Sequence, residues 1–142
     1  MPDVIESLEQ LMYEAVGMTA VALATAAAGE LTFTQWRTLV VIGRSDALRV
    51  GDIAAAIGTS LTSTSRLVLR LERRGLVTTA RDESDRRATL VRISDRGRDL
   101  RQTVVACRRD LMEAALRERS AALPRGLAPG LAAIAVAFEE YA

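Results

Sequence analysis

Two stretches of this 142-residue chain carry the side chains best placed to do chemistry. In the first, Thr62 and Ser63 are followed by Arg66, Arg70 and Arg73, so small hydroxyls give way to guanidiniums at helical spacing. In the second, Asp85, Arg86 and Arg87 stand together in a polar hexapeptide. Hydroxyls bond phosphate oxygens or base edges, and a guanidinium makes a bidentate contact to guanine or a phosphate. An arginine on a loop can also enter a minor groove, where negative potential is concentrated, while an aspartate two residues earlier holds the loop tip and orients the guanidinium. That is the chemistry a recognition helix takes into double-stranded DNA, and on the helix alone a solvated face with scattered charge is the equal alternative.

The first set needs a helix, and the sequence marks both of its ends. Ser60 is an N-cap whose hydroxyl accepts a free N–H, with Thr59 as the alternative one residue earlier, and a helix of about 61–74 follows. Gly75 falls at C′ and Leu76 at C″, opposite Leu71, as a Schellman ending requires. Thr64, Leu67, Val68 and Leu71 keep the i, i+3, i+4, i+7 spacing of a core-facing stripe, which turns Thr62, Ser63, Arg66, Arg70 and Arg73 to the other side. Thr64 has two readings, since it keeps the core spacing and, with Thr62 and Ser63, is also a candidate contact to phosphates or base edges. Arg49 to Ile57 is a shorter helix ended by Gly58, three to four residues ahead of the next, which is helix-turn-helix spacing. After Gly75, Leu76–Arg81 and Ala88–Ile93 are rich in Val, Leu, Ile and Thr around the polar Asp82–Arg87 loop, so a β-hairpin over about 76–93 is expected, with Arg86 and Arg87 near its tip.

These pieces resemble the MarR family of winged helix-turn-helix regulators. The resemblance lies in Leu31-Thr-Phe-Thr-Gln-Trp-Arg37, the helix pair, Leu71-Glu-Arg-Arg-Gly-Leu-Val77, and Asp85-Arg-Arg-Ala-Thr-Leu-Val-Arg-Ile-Ser-Asp-Arg-Gly97, which follow the family's order and spacing over nearly the whole chain. It implies a dimeric bacterial transcription factor, in most members a repressor, and in many one that releases DNA when a small molecule binds or a cysteine is oxidised. It also puts the family's wing-tip arginine on Arg87. Two positions depart from the pattern. Thr79 stands where a basic residue is common, and Leu69 stands where a polar residue is usual, from which packing under the wing is expected.

Composition agrees with that chemistry in its distribution rather than its total. Net charge is +1, yet residues 1–60 carry three arginines against seven acids, residues 61–109 thirteen against six, and residues 110–142 three against five. The basic middle third is the footprint of a DNA-facing segment. All nineteen basic residues are arginine, and Lys, His and Asn are absent, a bias that reads as a GC-rich bacterial genome. One cysteine and no histidine leave no internal disulfide and no zinc cluster. With no Gly-rich phosphate loop and no G-x-S-x-G, the usual parts of an enzyme or a cofactor site are missing. Ala20–Ala28 is too short to span a bilayer, and no targeting segment is seen, so the expected location is the cytoplasm, with no membrane partner.

The remaining chain is helical. Asp3 to about Ala28 keeps an apolar stripe through Val4, Ile5, Leu8, Leu11, Met12, Ala15 and Val16 and then becomes alanine-rich all round, which requires a partner. Gly29 ends it, and Thr32 with Gln35 forms a capping box for a helix buried through Trp36, Leu39, Val40 and Ile42. Ala47–Val50 is read as a short third strand. Ser94 caps a helix running to about Ser120, with Leu100, Val104, Cys107, Leu111 and Ala115 on one stripe. A last helix opens with Pro129 at N1 and carries a seam of Leu127, Leu131, Ile134, Phe138 and Tyr141. Cys107 lies in an apolar stripe and reads as a small core hydrophobe; the oxidation-sensing branch of the family keeps its cysteine in the first helix, which here has none.

The expected fold is therefore mainly α with a small β-wing. Residues 31–94 form the winged helix-turn-helix lobe, and 1–30 with 95–142 form a helical dimerisation region. The expected function is a dimeric DNA-binding repressor on a pseudo-palindromic operator, with half-sites about one helical turn apart. DNA contacts would come from Ser60, Thr62, Ser63, Thr64, Arg66, Arg70, Arg73, Asp85, Arg86 and Arg87. A small-molecule effector between the helical and winged lobes would shift the spacing of the two recognition helices. The alternative is a helix-bundle protein-interaction module that keeps the fold without specific DNA binding.

Overall fold

The computed structural model of the chain describes residues 2–26, 31–119 and 123–139. Six helices and three strands follow in the order α1 Pro2–Ala26, α2 Phe33–Ile42, β1 Leu48–Arg49, α3 Val50–Ile57, α4 Leu61–Arg73, β2 Val77–Arg81, β3 Thr89–Ile93, α5 Asp95–Leu116 and α6 Leu127–Glu139. This is the mainly helical winged architecture expected of the sequence. The helix expected to run to about Ser120 ends earlier, at Leu116, in a turn over residues 117–119. Gly29 as the first helix breaker and the seam residue Tyr141 lie outside the described residues.

The chain divides into two compact units, residues 1–111 and 112–142. The first has one apolar core. Trp36, Leu39 and Ile42 of α2, Ile53 of α3, Val68 and Leu71 of α4, Val77 and Val91 of the sheet, and Val104 of α5 are all buried in it, with Ala22 and Leu23 from the end of α1. Cys107 packs partly buried against the same core.

Local chemistry sets the ends of each element. Thr32 accepts from Gln35 N–H at 3.2 Å and Gln35 Oε1 accepts from Thr32 N–H at 3.0 Å, so the capping box opens α2 as expected. Gly58 ends α3 at φ 68° and Gly75 follows α4 at φ 71°, a left-handed conformation that costs glycine nothing. Beyond α4, Leu76 N–H reaches Leu71 O at 3.0 Å and Gly75 N–H reaches Glu72 O at 2.8 Å, which completes the Schellman motif. The sheet order is β1-β3-β2, all antiparallel, with Leu48 opposite Val91 and Val77 opposite Ile93. The short strand read over Ala47–Val50 is thus present as Leu48–Arg49.

Ser94 joins three elements at the wing's base. Its N–H donates to Leu76 O, its hydroxyl donates to Gly75 O at 2.6 Å, and the same oxygen accepts from Gly97 N–H at 3.0 Å to cap α5. Gly97 then lies so close to the wing that a Cβ there would stand 2.1 Å from Leu76 O. Only glycine allows that approach.

The N-terminal half of α1 leaves Val4, Ile5, Leu11, Met12 and Val16 exposed among the described residues, with Leu8 of the same stripe half-buried. In the second unit α6 buries no residue, and Leu131, Val136 and Phe138 are exposed. Its helix begins at Leu127 rather than at Pro129, which occupies the third position of the first turn, where a missing N–H still costs no intrahelical bond. Among the described residues, no helix is long and apolar enough to cross a membrane.

Candidate nucleic-acid interface

Helix α4 shows how one short sequence separates a core face from a binding face. Ser60 accepts from Ser63 N–H at 3.2 Å through its hydroxyl, and the same hydroxyl donates to Ser63 Oγ at 3.0 Å. Ser60 is therefore the N-cap, and its side chain and that of Ser63 form one exposed pair at the helix N-terminus. Thr64, Val68 and Leu71 are buried on the opposite side. Thr62, Arg66, Arg70 and Arg73 are exposed. No hydrogen bond or ion pair among the described residues engages the guanidinium of Arg66, Arg70 or Arg73.

Thr64 is corrected by this geometry. It is fully buried and its hydroxyl donates to Ser60 O at 2.9 Å, so it has neither the exposure nor a free donor for a base or phosphate. Of its two readings only the core one holds. Leu69 is corrected as well. It does not pack under the wing but is 44% exposed. Besides the buried Val68 and Leu71, α4 meets the wing through Glu72, which accepts from the Thr79 hydroxyl at 2.5 Å. Thr79 thus ties β2 to α4 through a hydrogen bond to a carboxylate.

The hairpin tip is built by its two aspartates. Asp85 Oδ1 accepts from Arg87 N–H at 3.1 Å, and Ala88 N–H reaches Asp85 O at 2.8 Å. This turn holds the backbone under Arg87, leaving the guanidiniums of Arg86 and Arg87 exposed and unpaired among the described residues. Asp85 thus holds the tip as expected, but through the Arg87 backbone rather than through its guanidinium. Asp82 closes the hairpin with an N–H to Ala88 O at 3.0 Å. Its Oδ1 accepts from Ser84 N–H at 2.9 Å and the Ser84 hydroxyl at 2.7 Å, and its Oδ2 accepts from Arg49 Nε and Nη2. The Ser84 bonds foremost, then those from Arg49, hold the Asp82 carboxyl down from 3.8 to about 2. The sequence reading missed this clamp between α3 and the wing.

The arginine-rich middle third is not all interface. Arg92 donates to Asp46 O, Arg98 to Ile93 O and Asp95, Arg101 to Gly43 O, and Arg108 to Thr19. These cations fasten β3 and α5 to their neighbours. Among the described residues Arg66, Arg70, Arg73, Arg86 and Arg87, on α4 and the wing tip, have no such bond, and neither have Arg74 beside the end of α4 and Arg81 at the end of β2. Among the described residues no group of three or more His, Cys, Asp or Glu could hold a metal ion.

A helix-turn-helix of α3 and α4 followed by a clamped β-hairpin defines a winged helix-turn-helix protein. The MarR family profile matches residues 30–88, which hold the helix-turn-helix and the first strand of the wing. Over 71 residues the chain is 31% identical to YfiV of Bacillus subtilis, an uncharacterized HTH-type transcriptional regulator, covering 50% of this chain and 44% of that protein. The match thus spans less than half the length of that relative. The crystal structure of RV1404 from Mycobacterium tuberculosis superposes with a TM-score of 0.85 at 26% identity, over 98% of this chain and 95% of that one. Streptococcus pneumoniae FabT, solved in complex with DNA, shares the fold at a TM-score of 0.71 and 16% identity, over 99% of each chain. The fold is that of a MarR-family transcriptional regulator.

Proposed function

We propose that this chain is a sequence-specific, dimeric DNA-binding transcriptional regulator, a repressor relieved by a small-molecule effector, acting in the cytoplasm. The observation that carries the reading is the outer face of α4, where Thr62, Arg66, Arg70 and Arg73 stand exposed with no acid among them. In this reading α4 enters the major groove, with Ser60, Thr62 and Ser63 on phosphates or base edges and the arginines on bases or backbone. Arg86 and Arg87 enter the minor groove, on a tip that Asp85 holds.

Dimerisation is proposed from the open apolar residues of α1, Val4, Ile5, Leu11, Met12 and Val16, and from those of α6. A stable soluble chain covers such stripes, and a second copy supplies an identical one. Residues 1–30 and 95–142 are the proposed dimer-forming region and 31–94 the DNA-reading lobe. An effector would then act by changing the spacing of the two recognition helices.

The test is selection of the full-length protein against a random duplex library. The expected product is a pseudo-palindrome with half-sites about one helical turn apart. Enrichment of no motif would contradict sequence-specific regulation and favour the protein-interaction module.

A further inference from the structure

We infer that Leu69 reads the methyl group of a thymine in the major groove. The inference deepens the DNA-binding reading above and rests on it. Along α4, Thr62, Arg66, Leu69 and Arg73 recur at i, i+4, i+7 and i+11, while the buried Thr64, Val68 and Leu71 recur at i, i+4 and i+7. At 3.6 residues per turn these two strips lie on opposite sides of the helix. Leu69 therefore falls on the outward half of the helix, axially between Arg66 and Arg73 and at one edge of the strip that they form. It is 44% exposed, whereas its neighbour Val68 is 4% exposed.

Leu61, the first residue of α4, is also exposed but lies outside this strip, so Leu69 is the apolar side chain among its hydroxyls and guanidiniums. The partner it selects follows from the chemistry of the groove. Each base edge there presents nitrogen or oxygen donors and acceptors, and the one apolar feature is the thymine C5 methyl. Against that methyl Leu69 loses water to apolar contact. Against a cytosine amino group or a guanine carbonyl it would strip water from a polar atom and return no hydrogen bond, which is a penalty. Leu69 therefore favours thymine and disfavours a polar edge. Arg66 and Arg73, on either side, hold the helix to the DNA, and their alkyl stems flank the apolar spot.

The experiment uses the full-length protein and the best duplex returned by the library selection. Each thymine is replaced in turn, symmetrically in both half-sites, by deoxyuridine, which removes the methyl and nothing else. Binding is measured for the wild type, Leu69→Ala and Leu69→Gln, with thermal melts to establish folding. One symmetric thymine position is expected to weaken wild-type binding about fourfold per methyl, or about fifteenfold for the pair, on the scale of one buried methyl group. Both variants are expected to bind the thymine and uracil duplexes alike. If no uracil position matters for the wild type, or if the loss persists in both variants, the inference is overturned while specific binding stands. If the selection returns no preferred duplex, both readings fall together.

Discussion

Arg49 and Asp82, 33 residues apart in the chain, are joined through two bonds to one carboxylate oxygen, Nε at 3.0 Å and Nη2 at 2.5 Å. Arg49 is the residue before α3, and its own N–H donates to Asp52 at 3.3 Å. Asp82 begins the loop that carries Arg86 and Arg87. The pair therefore ties the loop that carries Arg86 and Arg87 to the start of α3, so that the hairpin and the helix-turn-helix are held together.

Asp82 is expected to titrate near 2 in the folded protein, below its ordinary 3.8. Because the folded value is depressed, the stabilisation from this carboxylate is complete above the unfolded value near 4 and is lost as pH falls toward 2. Carboxyl titration by NMR checks the value. Ser84→Ala and Arg49→Ala should each raise it, and Asp82→Asn should speed amide exchange at residues 82–88 at neutral pH without unfolding α4.

Two glycines should respond oppositely to alanine. Gly97→Ala puts a Cβ into Leu76 O and should cost about 1–3 kcal/mol, because α5 and the wing's base must separate. Gly51 lies in the first turn of α3, and a Cβ added there would meet no heavy atom of the described residues within 4 Å, so Gly51→Ala should stabilise by about 0.4–1 kcal/mol. Denaturant melts distinguish the two.

Thr64 and Arg66 should separate stability from binding. Thr64→Val keeps the shape but loses the bond to Ser60 O, and should lower stability by about 1 kcal/mol with the salt dependence of DNA binding unchanged. Arg66→Ala should leave the melt within about 0.5 kcal/mol and flatten the slope of log K against log salt by about 1.

Much of this arrangement is legible in the sequence because it depends on neighbours in the chain. The Thr32–Gln35 box, the Ser60 cap, the Gly58 and Gly75 endings and the Ser94 cap each involve residues at most five apart, and each forms as read. Thr64 has two readings in the sequence because a threonine fits both faces; its place in the Thr64-Val68-Leu71 strip is the better guide. Leu69 could have been placed by the same spacing, which sets it with Thr62, Arg66 and Arg73 rather than beneath the hairpin. The Arg49–Asp82 clamp and the use of Arg92, Arg101 and Arg108 as fasteners depend on tertiary pairing across dozens of residues. Periodicity and local charge do not encode it.

The most direct measurement is fluorescence anisotropy of the full-length protein on its own upstream intergenic DNA and on an unrelated duplex, over a salt series, with Arg87→Ala alongside. Sequence-preferring, salt-sensitive binding that Arg87→Ala weakens is the expected result. Equal, weak binding to both duplexes, unchanged by the substitution, would contradict the regulator reading.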